Sequence, residues 1–282
     1  MPRFCANISM LFTESDFTDR FDAAARAGFK GVEFHYPYAF DAAMLAERAQ
    51  RAGVEVVLFN LPPGNVEKGD RGLACLPSRM SEFRDSVGQA ITYARVLGCR
   101  RLNMLSGVVP EPARNAKRLA PEQLRETYIS NLRFAAGELG RAGIMLHIEP
   151  INTRAMPGMY LRYSSQALAL MDEAAVDNVW LQYDLFHMQI MEGDLAHNIK
   201  THLARIGHMQ IADVPARHEP GTGEINFPFL FSHIDSMGYE GWIGAEYNPS
   251  GRTADSLAWL RPYLQAEPEP EPAPAPTPES PA

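Results

Sequence analysis

The sequence predicts a single (β/α)8 barrel, and three observations predict it. Eight short aliphatic or β-branched runs recur along the chain, stretches with helical spacing separate them, and no glycine-rich dinucleotide loop follows the first run. The strand runs lie near residues 4–8, 31–35, 54–59, 101–105, 144–149, 179–184, 206–212 and 242–246. DFTDRFDAAARAGF follows the first, AMLAERAQRAG the second, EFRDSVGQAITYARVLG the third and LRETYISNLRFAAGELGRAG the fourth. Each of these helical stretches runs into glycine, which tolerates a left-handed C-cap. Three connections are long: LPPGNVEKGDRGLACLPSR, SGVVPEPARNAKRLA and PINTRAMPGMYLRY follow strands three, four and five. Long loops at the carboxyl ends of parallel strands are expected to cover a substrate. A doubly wound open sheet is the alternative fold, and polar strand-end residues spread along the whole chain argue against it.

The barrel is expected over residues 1–265. From Ala266 the chain reads AEPEPEPAPAPTPESPA, with no apolar face and many prolines that lack a backbone donor, so residues 266–282 are expected to form a disordered tail. Glu267, Glu269, Glu271 and Glu279 carry half of the net charge of -8. With 282 residues and 46% hydrophobic content, the chain can bury a sizeable core. Its acidic balance excludes a phosphate-tracking nucleic-acid surface, which needs clustered basic residues. The three cysteines, Cys5, Cys75 and Cys99, have no metal-ligand spacing and suggest reduced structural thiols. The N-terminal segment MPRFCANISMLF lacks the basic and long apolar regions of a signal peptide, and no run approaches a membrane span. A cytoplasmic protein without a membrane partner is expected.

Four polar residues sit at or just after the ends of apolar runs: Glu149 in MLHIE, Asp184 in VWLQYD, Gln210 in GHMQIAD and Glu246 in GWIGAE. In a parallel barrel these ends gather at one face, so residues far apart in sequence converge. Three carboxylates crowded away from water need a cation or protons to neutralise them. Oxygen ligands favour a hard divalent metal, Mg2+ or Mn2+, over zinc.

RFCANISMLFTE, GFKGVEF, YPY, FNLPPG, IEPIN, QYDLFHMQIMEGDL, IGHMQIAD, RHEPGTGEINFPFLF and GWIGAEY together resemble the hydroxypyruvate isomerase family, within the wider xylose isomerase-like barrel superfamily. The similarity runs from about Arg3 to Leu264. It implies a (β/α)8 barrel and an intramolecular oxidoreductase that interconverts hydroxypyruvate and 2-hydroxy-3-oxopropanoate, tartronate semialdehyde. It implies Glu149 and Glu246 as the two catalytic glutamates. The metal site of related sugar epimerases and tetronate isomerases matches Glu149, Asp184, Gln210 and Glu246. The chain departs from the family's common pattern at His35 and Tyr36 in EFHYPY, and at Asn248 in EYNPSG.

Moving a carbonyl by one carbon requires removing a proton from the neighbouring hydroxyl-bearing carbon and returning one to the former carbonyl carbon, so two carboxylates are useful. His187, three residues after Asp184, is placed to bond a substrate hydroxyl or carboxylate. Arg217, after strand seven, offers a fork that matches a substrate carboxylate, with a salt bridge to Glu219 or Glu224 as the plain alternative. His208 and His147 are expected in the barrel core, and Asp213 and Glu224 in shaping the loop. The partner is expected to be a small hydroxy or oxo acid, with no nucleotide cofactor, and barrels of this kind often form homo-oligomers. Alternative activities are isomerisation of a 2-oxo-tetronate, dehydration of an inosose-like ketone, and sugar-acid binding without turnover. A repair endonuclease would need a histidine-rich multi-zinc cluster and a basic groove, and neither is present in the sequence.

Overall fold

Eight parallel strands close into one barrel in chain order, in a computed structural model that describes residues 1–110 and 119–264. They are β1 (Arg3–Asn7), β2 (Gly31–Phe34), β3 (Glu55–Asn60), β4 (Arg101–Met104), β5 (Met145–Ile148), β6 (Val179–Asp184), β7 (Ile206–Ile211) and β8 (Trp242–Ala245). Each expected strand is present within a residue or two of its expected bounds. The expected tail, residues 266–282, lies outside the described residues, as does much of the loop after β4.

The helices pack outside: α1 (Arg20–Arg26), α2 (Ala42–Ala52), α3 (Met80–Leu97), α4 (Pro121–Arg141), α5 (Ser164–Ala174), α6 (Leu185–Met191), α7 (Leu195–His202) and α8 (Phe227–Ser236). Two helices follow β6, and the eighth unit closes with a run of 3-10 turns, Thr253–Tyr263, that contains Pro262. The glycine stop signals hold at Gly53 (φ 69) and Gly98 (φ 65), which end α2 and α3 in the left-handed region.

Strand alternation separates two kinds of interior. Phe4 and Ala6, Leu102 and Met104, Leu146 and Ile148, Leu181 and Tyr183, Met209 and Ile211, and Ile243 and Ala245 belong to the large apolar cluster shared with the helices. The alternate positions, Asn7, Glu33, Asn103, His147, Gln182, Asp184, His208 and Gln210, are also buried but polar, and five of them, Asn7, Glu33, Gln182, His208 and Gln210, are joined by hydrogen bonds inside the barrel. At the amino ends of the strands the interior turns apolar again, with Cys5, Val57, Leu58 and Trp242 packed together and the Arg3 guanidinium 4.1 Å over the Trp242 ring. The barrel is therefore plugged at one end and polar toward the other.

Helix α5 ends at Ala175 in the left-handed region (φ 51), where an L side chain crowds its own backbone. Ala175→Gly is expected to raise stability by about 1 kcal/mol, the strain relieved less the added chain entropy. Urea denaturation checks this, and a lower midpoint in the variant would contradict it.

Candidate active site

Glu149 follows β5 directly, Asp184 ends β6, Gln210 is the next-to-last residue of β7, and Glu246 follows β8 directly. The barrel brings all four together. Glu149, Glu246, His187 and Arg217 line a cavity of about 240 Å³ with His35, Tyr36, Asn60, Arg71 and Gln182. Asp184 and Gln210 stand directly behind its wall, in contact with those residues.

Asp184 is held by its own local sequence. As the N-cap of α6 it accepts hydrogen bonds through Oδ1 from the Phe186 and His187 amides at 2.8 and 3.4 Å. This leaves Oδ2 buried without a hydrogen-bond partner among the described residues. His187 Nε2 lies 3.4 Å from that oxygen and 3.7 Å from Glu149 Oε1. The other ring nitrogen decides what His187 can do. The Asn152 side-chain oxygen accepts from the Arg154 and Ala155 amides, so its nitrogen faces His187 Nδ1 at 2.6 Å. Nδ1 must then be the acceptor, and the neutral ring carries its proton on Nε2. Burial, helped by the Arg217 charge, holds the His187 pKa well below its usual value, so the ring stays neutral. His187 therefore donates into the site.

Glu149 Oε2 accepts from Asn103 Nδ2 at 2.7 Å. Glu246 is surrounded more fully: Oε1 pairs with Arg217 Nη2 at 2.6 Å and lies 3.5 Å from His35 Nε2, while Oε2 accepts from Asn7 Nδ2 at 2.9 Å and from the Gln210 amide. These surroundings split the acids. Burial pushes Glu149 well above the usual carboxylate range, and the charges of Glu246 and Asp184 add to the rise. Burial also lifts Asp184 to about 7 against the pull of Arg217. For Glu246 burial acts upward too, but the bond from His35 and the Arg217 charge outweigh it and hold the group at about 2.

Arg217 does not form the salt bridge to Glu219 or Glu224 that was the plain alternative. It pairs with Glu246 and stands 3.6 Å from Asp184 Oδ2. Its backbone is left-handed (φ 59), its amide donates to the Asp213 carbonyl, its carbonyl accepts from Asn248 N at 2.8 Å, and its guanidinium lies 5.0 Å from the Phe186 ring centre. Such a conformation costs about 1–3 kcal/mol and persists where the surroundings impose it. Asp213 imposes it by shaping the loop as expected: one carboxylate accepts from the amides of Val214, Gly221, Gly223 and Ile225. Glu224 instead takes a bond from Gln189 at the surface. His208 and His147 lie fully buried inside the barrel, as expected.

Glu149, Asp184 and His187 form one compact group of potential metal-ligand atoms, all within 4.8 Å of one another. The unpartnered Asp184 oxygen among buried carboxylates fits a divalent cation, and the proton on His187 Nε2 leaves oxygen atoms as the natural donors there. Several site residues were not singled out in the sequence: Asn7, Glu33, Asn60, Asn103, Asn152 and Gln182. An acid or amide interrupting an apolar run, as in CAN, GVEF, LFN and RLNM, was the available signal.

A family model described as xylose isomerase-like TIM barrel matches residues 21–263. A protein of Cupriavidus necator named 2-oxo-tetronate isomerase is 47% identical over 264 residues, covering 94% of this chain and 99% of that one. A hydroxypyruvate isomerase of Escherichia coli K12 is 46% identical over 263 residues, covering 93% of this chain and 100% of that one. A solved chain from Brucella melitensis, described as an AP endonuclease of family 2, superposes with a TM-score of 0.89 at 46% identity, covering 93% and 99%. The chain belongs to the xylose isomerase-like TIM barrel family, in the group that includes these hydroxypyruvate and 2-oxo-tetronate isomerases. It is an enzyme of the isomerase class.

Asp213→Asn keeps the shape but turns two of the four amide contacts into donor against donor. A loss of about 2 kcal/mol is expected in urea denaturation, with a raised KM as the Arg217 loop loosens. Unchanged stability and KM would contradict the loop's dependence on Asp213.

Proposed function

We propose that the enzyme interconverts hydroxypyruvate and 2-hydroxy-3-oxopropanoate through an enediolate, with Glu149 and Glu246 as the proton-transfer groups. The observation that carries the reading is geometric: two glutamates reach one small cavity from β5 and β8, beside donors suited to oxygen atoms. One glutamate takes the proton from the hydroxyl-bearing carbon, and the other delivers a proton to the former carbonyl carbon. In the reverse direction the roles exchange. The opposite protonation tendencies of the pair suit this division, since an acid and a base are both present near neutral pH.

His187 Nε2–H and the Arg217 guanidinium donate to substrate oxygens, where negative charge grows as the carbon proton leaves. Arg71 and Arg217 give the cavity positive charge that suits an anionic substrate end. Tyr36, whose hydroxyl is pushed up to about 12 mainly by burial, stays a neutral hydrogen-bonding wall. Glu149, Asp184, Gln210 and Glu246 would hold a divalent cation, with Mg2+ or Mn2+ favoured by their oxygen atoms. When bound, it would polarise the substrate oxygens and lower the cost of forming the enediolate.

A second reading, isomerisation of a four-carbon 2-oxo-tetronate, draws support from the Cupriavidus necator relative. A nuclease reading has little support: the net charge is -8, and the described residues contain two small groups of candidate metal ligands rather than a histidine-rich cluster.

Steady-state turnover of the two acids by purified enzyme tests the proposal. The three-carbon acid is expected to have the higher kcat/KM, and a higher value for the tetronate would favour the second reading. Glu149→Gln and Glu246→Gln are each expected to lower kcat by about 10²-fold or more while the fold is kept. A chelator should remove activity and Mg2+ or Mn2+ restore it. Wild-type turnover in either variant would sink the paired-glutamate reading, and turnover unaffected by chelator would sink the metal.

A further inference from the structure

Behind Glu246, inside the barrel, lies a carboxylate that the reaction scheme leaves unused. Glu33, in the middle of β2, is fully buried and does not line the cavity. Its Oε1 accepts from Gln210 Nε2 at 2.8 Å and Asn7 Nδ2 at 3.1 Å. Its Oε2 faces His208 Nε2 at 2.6 Å and the Cys5 thiol at 3.5 Å. The same two amide nitrogens, on Asn7 and Gln210, also donate to Glu246 Oε2.

A side-chain amide has a donor end and an acceptor end of nearly equal size, and its neighbours choose which one faces where. Glu246 selects the nitrogens through one oxygen, Oε2, that both amides share, and Glu33 selects them a second time through its Oε1. As an acceptor facing both amides, it requires both nitrogens, and the Asn7 and Gln210 oxygens must turn elsewhere. They do: Asn7 Oδ1 accepts from Ser9 N at 3.1 Å, and Gln210 Oε1 accepts from Gln182 Nε2 at 2.6 Å, on the β6 side where Asp184 stands.

The barrel makes room for this carboxylate at a specific point. A Cβ at Gly244, in β8 two residues before Glu246, would overlap the Glu33 carboxyl group. The backbone of Gly244 is not left-handed, so its conformation does not require glycine and the neighbouring carboxylate accounts for the missing side chain.

We infer that Glu33 is a positioning residue: it fixes the orientation of Asn7 and Gln210 so that both donate to Glu246 and the Gln210 oxygen faces β6. It touches no substrate and acts through those two amides. The inference rests on Glu246 being an acid/base, as proposed above.

The test compares kcat, KM and thermal midpoint for wild type, Glu33→Met, Glu33→Asp, Glu33→Gln and Glu246→Gln, using whichever of the two acids the wild type turns over. Glu33→Met removes the acceptor at similar volume, and Glu33→Asp retracts it by one methylene. Both are expected to lower kcat by about tenfold or more, the usual effect of losing a partner that orients a working group, with KM within about threefold. Glu33→Gln keeps one oxygen that can accept from both amides if its nitrogen turns to His208, so its kcat should recover well above that of Glu33→Met. Should Glu33→Met fail to fold, Glu33→Asp carries the comparison.

Wild-type kcat in Glu33→Met and Glu33→Asp, beside an inactive Glu246→Gln, would overturn this inference alone. So would a loss that only follows the folded fraction, with kcat per folded molecule unchanged, because Glu33 would then be a packing residue. A fully active Glu246→Gln, or no turnover of either acid by the wild type, would overturn the functional reading and this inference with it.

Discussion

Four carboxylates, on Glu33, Glu149, Asp184 and Glu246, are buried within one barrel interior, and the rest of the site follows from the need to accommodate their charge. Removing ionised groups from water costs several kcal/mol each unless hydrogen bonds, counter-charges or protons compensate. The protein uses all three. Glu33 has amide, imidazole and thiol neighbours, and Glu246 has Arg217, His35 and two amides. Glu149 and Asp184 have fewer partners and are pushed toward protonation. Asp184 Oδ2 is buried without a hydrogen-bond partner among the described residues, beside the place proposed for a divalent cation.

The fold makes this concentration of charge tolerable by dividing labour between the two faces of each strand. Outward residues such as Phe4, Leu146, Leu181 and Ile243 join the apolar layer under the helices, which supplies the hydrophobic stabilisation. Inward residues near the carboxyl ends are then free to be polar. The site lies on rigid strand ends, while the left-handed Arg217 and the loop that Asp213 organises supply a long cation that reaches Glu246. Buried charge collects where chemistry is proposed, and the left-handed Arg217 stands beside it, as expected of a site that trades stability for preorganisation.

The barrel was legible because its signals are local and repeated. Short strand runs appear at regular intervals, and Gly53 and Gly98 mark helix ends. Ala175 shows the limit, since an alanine in a left-handed cap leaves no sequence mark. The four strand-end residues were legible for a related reason: a polar residue after an apolar run is conspicuous, and parallel topology dictates convergence. Partners were harder. Nothing in the sequence near Arg217 favours Glu246 over Glu219 or Glu224, because that choice depends on how the loop bends around Asp213. The role of Asn152 in fixing the His187 tautomer depends on two loop amides that claim its oxygen. Glu33 shared the signal of its neighbours but sits in the middle of β2 rather than at its end.

In the proposed reaction one glutamate takes a proton from a carbon of a short hydroxy-oxo acid and the other delivers a proton to the adjacent carbon. Proton NMR of the enzyme with hydroxypyruvate in deuterated water tests it most directly, because a proton exchanged through an enediolate returns as deuterium. Deuterium is expected at carbon in both recovered substrate and product, at a rate that depends on Glu149 and Glu246. Product formed with its carbon-bound protium fully retained from substrate, or no exchange and no conversion at all, would contradict the proposed reaction.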